Sequence, residues 1–198
     1  MFTVTSDSLL AGLEDPANQT VWRDFVDRYR PLLVQWVRRA AIPDADADDL
    51  AQEILVAFAD AYRRGGYDKE KGRLRAWLFG IARVCLLNFH RRRQRDPAVQ
   101  VIDHGDGTDF FAAQPDADRL AELWDAEWRD AVLRQCLAEA RSRVEPRTFE
   151  AFCLFARDGL SADAVGARLG MTANAVFGAK RRVLQLLREI RAEIEPIW

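Results

Sequence analysis

"ADADDLAQEILVAFADAYRR", residues 45–64, sets Leu50, Ile54, Phe58 and Tyr62 four positions apart, with Leu55 beside Ile54 and alanines and acids among them. That is the period of a helix with one buried stripe; no strand-like alternation competes with it. The same period returns on either side. Upstream, Trp22, Phe25, Val26 and Tyr29 share a side that Leu33, Trp36 and Val37 continue beyond Pro31. Pro31 is expected to kink or restart that helix, since it lacks a donor and crowds the preceding turn. Downstream, the glycine pair and polar run of "RRGGYDKEKG" break the helix, and another runs from near Leu74 to Asp96-Pro97. A short helix carrying Leu9, Leu10 and Leu13 is expected after Ser6. The fold class is therefore all-α.

With 198 residues, 49% of them hydrophobic, the chain is long enough for two small domains with cores of their own. The stretch 96–118 is rich in Asp, Gly and Pro and has no sustained period, so it reads as a flexible linker. It separates an N-terminal helical domain, 1–95, from a C-terminal one, 119–198. In the latter, Trp124, Trp128, Val132 and Cys136 recur every fourth residue, and Leu133 and Leu137 widen that face. A net charge of -2 excludes a wholly basic nucleic-acid coat without excluding local patches. Cys85, Cys136 and Cys153 lack CxxC spacing and sit among apolar helical residues, as buried thiols in a reducing compartment do. No basic leader and no run of about twenty apolar residues occurs, so the expected protein is soluble and cytoplasmic, without direct membrane insertion.

The C-terminal end carries the first motif with a mechanism. Ser161 and Thr172 stand at the N-cap positions of two helices, and Gly170 closes the first of them. Ala164, Val165 and Leu169 are expected to face inward on one, and Val176, Val183 and Leu187 on the other. Two short helices joined by "LGMT" (169–172) describe a helix-turn-helix. Thr172, Ala173, Asn174 and Phe177 would meet base edges in the major groove. Lys180, Arg181 and Arg182 would reach phosphates. A helical hairpin with a solvated basic face is the plainer alternative.

The second motif lies between Ala61 and Asp96, where eleven bases face three acids, leaving plus eight. Such a concentration marks a surface for a polyanion. Tyr67, Trp77, Phe79 and Phe89 are interleaved with the bases, and rings beside arginines suit unstacked bases. Trp77 and Phe79 cannot share one face, so at least one belongs to the core. Ahead of this region, six acids without a base lie from Asp44 to Asp60. Those near the helix start offset its dipole, but Gln52 and Glu53 lie a turn further in, off the buried stripe. No His or Cys is close by, and Asp48 and Asp49 diverge, so neither a metal nor a cofactor nor a catalytic pair is expected. A face for a basic protein partner is more economical.

Taken in order, the acidic "DDLAQE" (48–53), the aromatic "RLRAWLFGIAR" (73–83), "NFHRRRQR" (88–95), a variable linker and a terminal helix-turn-helix resemble a known family. It is that of the bacterial RNA polymerase sigma factors of extracytoplasmic-function (ECF) type, which keep the second and fourth conserved regions. The resemblance implies a non-enzymatic protein whose partners are core RNA polymerase, promoter DNA and an inhibitory anti-sigma protein. It places Asp49, Gln52 and Glu53 against the clamp helices of the beta-prime subunit. It assigns Tyr67, Arg73, Arg75, Trp77, Arg83, Asn88, Arg91, Arg92 and Arg93 to the melted minus-ten element. Thr172, Asn174, Phe177, Lys180, Arg181 and Arg182 would read the minus-thirty-five element as duplex. Two departures stand out: Val84 follows "IAR" where many relatives carry Asn, and Gly178 interrupts the recognition helix. A stand-alone helix-turn-helix regulator explains the C-terminal motif equally well, but leaves "DDLAQE" and the basic aromatic region unexplained.

Overall fold

The computed structural model describes residues 12, 13, 15, 18–68, 70–95 and 117–194, with all their side chains except those of 94 and 95. The helix expected after Ser6, apart from Gly12 and Leu13, lies outside the described residues. So does the segment 96–116 of the expected linker. Among the described residues every regular element is helical: α1 (Gln19–Arg39), α2 (Asp44–Arg63), α3 (Leu74–Arg95), α4 (Ala117–Arg143), α5 (Pro146–Phe152), α6 (Ala162–Leu169) and α7 (Ala173–Ile194). α5 continues into one wide π-turn, Cys153–Arg157. The described residues divide into two compact units, one up to Arg129 and the other from Asp130 onward.

In the N-terminal unit α1 starts at Asn18, whose side-chain oxygen accepts from the Val21 amide at 3.3 Å. The helix runs unbroken through Pro31, so the expected restart does not occur. A proline in a helix interior costs about 3 kcal/mol. Here Phe25, Tyr29, Leu32, Leu33, Trp36 and Val37, all at most 1% exposed, bury the stripe on both sides of it. α2 follows Pro43, and no side chain caps its start; Asp44 and Asp46 in its first turn complement the dipole instead. Its buried residues, Ala47, Leu50, Ala51, Ile54, Leu55 and Phe58, form the stripe read from the spacing. Phe58 stacks on Phe25 with ring centroids 4.4 Å apart, and α3 adds Leu74, Leu78, Ala82 and Leu86 to the same core.

The first turns of α4 belong to this N-terminal unit. Leu120, Trp124 and Trp128 are at most 2% exposed. The Trp36 indole donates to the Leu120 carbonyl at 3.2 Å, and Trp36 meets Trp124 edge-on at 5.6 Å. Trp128 lies 5.8 Å from Tyr29, whose phenol burial pushes well up in pKa. The buried Glu127 carboxylate is held by Arg39 at 2.6 Å. Residues 119–129 therefore differ from their expected place in the C-terminal domain, and the boundary falls inside the continuous helix α4, after Arg129.

The C-terminal unit has two apolar clusters. Cys136 and Ala140 of α4 join Ile190 of α7, while Ala151, Leu154, Ala162, Val165, Val176 and Ala179 pack α5, α6 and α7 together. Leu133 is 52% exposed, outside the face it was expected to widen. Ala164 is exposed as well, and Ala162, Val165 and Gly166 take the inward positions on α6. The helix offers its next-turn neighbours to α7, and Ala164 falls on the opposite side of the cylinder.

Candidate polymerase and nucleic-acid faces

The six acids of the α2 region are mostly occupied within the molecule. Asp44 meets Arg38 at 3.0 Å, Asp48 meets Arg30 at 2.6 Å, and Asp60 meets Arg63 at 3.6 Å. Two more reach across to α3: Asp46 accepts from Arg93 and Glu53 from Arg92, both at 2.7 Å. Such exposed pairs are worth about 0–1 kcal/mol each, so they fix the register of α1, α2 and α3 more than they stabilise the fold. Asp49 has no ion-pair partner among the described residues, and Gln52 beside it is exposed. With Glu53 and Val56, which is 51% exposed, they form one outward face of α2.

The arginines of α3 separate in the same way. Arg92 and Arg93 turn toward α2, Arg93 also lying over the Phe89 ring at 5.6 Å. Arg75 pairs with Asp125 and sits 5.3 Å from the Trp128 ring, so it ties α3 to the start of α4. The structure thus brings Arg75, Arg92 and Arg93 into contacts inside the unit. Arg73, Arg83, Asn88 and Arg91 stay exposed, and no acid among the described residues holds the three arginines. Asn88 accepts from Arg91, one turn away, at 3.5 Å. Arg73, Trp77, Gly80, Val84, Asn88 and Arg91 are separated by three or four residues throughout, which aligns them along one side of α3.

At the start of that side, the loop from Gly65 to Arg73 and the first turn of α3 enclose a hollow of about 610 Å³ lined by Tyr67, Lys71, Arg73 and Trp77, among others. Gly65 at φ 71° supplies the left-handed turn that opens the loop. Trp77 is half-buried, 5.3 Å from Tyr67 and 5.1 Å from Phe58, so it is at once a wall of the hollow and the roof of the core. Phe79 turns the other way, 5.4 Å from Trp124. The expectation that one of the two rings is core therefore resolves with Phe79 as packing and Trp77 as shared. Close by, burial first and then the Glu53 charge push the Cys85 thiol up, while burial followed by Arg93 holds His90 below the ordinary imidazole range.

In the C-terminal unit the expected caps are in place. Ser161 Oγ accepts from the Ala164 amide and Thr172 Oγ1 from the Ala175 amide, both at 3.2 Å. Gly170 closes α6 at φ 62°, ψ 41°, and Arg147 donates to the Leu169 and Gly170 carbonyls that the helix end leaves free. Gly166 allows α6 to approach the turn: a Cβ there would lie 2.5 Å from the Met171 carbonyl oxygen. On α7, Asn174, Phe177, Arg181 and Arg182 are exposed, and the space around Gly178 is open. Lys180 is drawn sideways, its ammonium 5.2 Å from the Phe155 ring, which meets Phe177 edge-on at 5.4 Å. The π-turn carries Phe155 to that position, a feature that no residue spacing announces.

Among the described residues, no three His, Cys, Asp or Glu are grouped to hold a metal ion, and no helix is long and apolar enough to cross a membrane. Comparison with known proteins gives these faces a setting. Residues 25–96, all of α2 and α3 and all of α1 after its first six residues, match the Sigma-70 region 2 family. The chain is 30% identical over 181 residues to the ECF RNA polymerase sigma factor SigD of Mycobacterium tuberculosis, covering 84% of this chain and 75% of that protein. The same protein from Mycobacterium bovis gives the same values. The RNA polymerase sigma factor CnrH of Cupriavidus metallidurans is 27% identical over 179 residues, covering 87% of each chain. A match that runs through α2 and α3 accounts for the acidic and basic regions that a stand-alone regulator left unexplained. The chain belongs to the ECF RNA polymerase sigma factor family.

Proposed function

We propose that this sigma factor divides promoter recognition between its two units, and that the two sides of the α2–α3 pair carry different partners. As a sigma factor it is not an enzyme: it directs RNA polymerase to promoters, and the chemistry of RNA synthesis is the polymerase's. Asp49, Gln52, Glu53 and Val56 face the clamp helices of the beta-prime subunit. The side of α3 that begins at Arg73 and ends at Arg91 holds the melted strand of the minus-ten element. A base leaves the stack for the hollow walled by Tyr67 and Trp77. On α7, Asn174 and Phe177 meet the minus-thirty-five element in the major groove, with Arg181 and Arg182 on phosphates. The factor works in the cytoplasm, where the polymerase is, and an anti-sigma protein holds it inactive by covering these faces.

The observation that carries the reading is the sorting of the α3 arginines: those aligned with Trp77 meet no acid among the described residues, and those turned away are engaged by Asp46, Glu53 and Asp125. Binding of holoenzyme to a premelted promoter, followed against salt, tests it. Arg73→Ala and Arg91→Ala should each weaken binding and reduce the slope of log K against log[salt] by about 0.7, one phosphate contact on a single strand. Arg92→Ala should leave the slope unchanged. Equal effects from all three would contradict the sorting.

A further inference from the structure

Between its two basic ends the exposed side of α3 is apolar. Val84 is 57% exposed, and Gly80, one turn before it, is open to solvent with nothing near the position its Cβ would occupy. Together with Ala57 of α2 and Ala76, Trp77, Ile81 and Cys85 of α3 they line a groove of about 400 Å³ without a charged side chain. The groove adjoins the loop hollow and shares Ala76 and Trp77 with it. Arg73 lies before it, Asn88 and Arg91 beyond it, and Arg83 beside it, all exposed. A single strand held by those arginines would pass its bases over the groove. The major-groove edges of the bases present donors and acceptors with one exception, the 5-methyl group of thymine. An apolar groove with a basic rim complements that group on a charged backbone, and cytosine, with only a hydrogen at the same ring position, loses the contact.

We propose that the Gly80–Val84 groove is a thymine-methyl site, and that Val84 is the residue that makes this sigma factor prefer thymine over cytosine at one position of the melted strand. Gly80 leaves room for the ring to approach, Val84 and Ile81 touch the methyl, and Trp77 flanks the base. The inference rests on the assignment of this side of α3 to single-stranded DNA.

The test uses the full chain with bacterial core polymerase and a duplex whose premelted segment is randomised. Strands enriched on the holoenzyme are sequenced, and each thymine of the preferred strand is then replaced singly by deoxyuridine, which lacks only the methyl. Enrichment of thymine at one position, with about a fourfold loss of affinity on its replacement, is the expected result, the worth of one buried methyl group. In Val84→Asn the two bases should bind equally at that position while the other positions keep their preferences. A flat deoxyuridine scan, or discrimination that persists in Val84→Asn, would overturn the methyl site while leaving promoter binding intact. Failure of Val84→Asn to co-elute with core polymerase would place the groove against the enzyme and overturn it too. Absence of any enrichment with the parent chain would instead overturn the single-strand assignment beneath it.

Discussion

Replacing Gly166 with alanine puts a carbon 2.5 Å from the Met171 carbonyl oxygen, inside the turn that sets α6 against α7. The backbone must shift, and a cost of about 1–3 kcal/mol is expected, read as a lower denaturation midpoint. Gly178→Ala meets open space and should raise stability by about 1 kcal/mol through helix propensity. The same spelling thus means opposite things at the two glycines. Phe177 is 52% exposed yet braced edge-on by Phe155. Phe177→Ala should weaken binding to the preferred upstream duplex more than to unrelated duplex, whereas Arg181→Ala should weaken both alike and flatten the salt slope by about 1. A uniform loss in Phe177→Ala would remove it from base reading.

Helices rather than residues decide what the sequence can and cannot reveal. The α2 stripe was legible because Leu50, Ile54, Leu55 and Phe58 face one core, and the caps at Ser161 and Thr172 were legible because capping is local. α4 was not. Its apolar residues continue at Trp124, Trp128, Val132 and Cys136 without a break, and periodicity reports that a side is buried but not which core buries it. Asp46 with Arg93 and Glu53 with Arg92 are 47 and 39 residues apart, beyond any local pattern, so the acids read as a free row when most are brackets. Counting bases likewise hid the apolar gap at Gly80 and Val84. Trp124→Ala should destabilise the N-terminal unit by about 3–5 kcal/mol, and Leu133→Ala should stay within about 0.5 kcal/mol of the parent, both measured by denaturant unfolding. On α3, His90 is held neutral below the ordinary imidazole pKa. The unfolded chain therefore takes up its proton first, so stability is full above that ordinary value and declines as pH falls through the lower folded-state pKa. His90→Gln should flatten this part of the pH profile; an unchanged decline would locate it in other groups.

At the scale of the molecule, intramolecular ion pairs take up some of the charges of α2 and α3 and leave others exposed. Arg75, Arg92 and Arg93 join helices, whereas Arg73, Arg83 and Arg91 remain available, and on α2 the exposed face narrows to Asp49, Gln52, the outer part of Glu53 and Val56. Charge reversal at Glu53 would break the bridge to Arg92 as well as the outer face. Asp49 and Gln52 make no such bridge among the described residues, so they isolate the question. Gel filtration of the full chain with and without bacterial core polymerase, beside the double variant Asp49→Lys and Gln52→Lys, is the most direct measurement. The parent should co-elute with the polymerase and the variant should not, at unchanged helical content by circular dichroism. Co-elution of the variant to the same extent as the parent would contradict the assignment of this face to the polymerase.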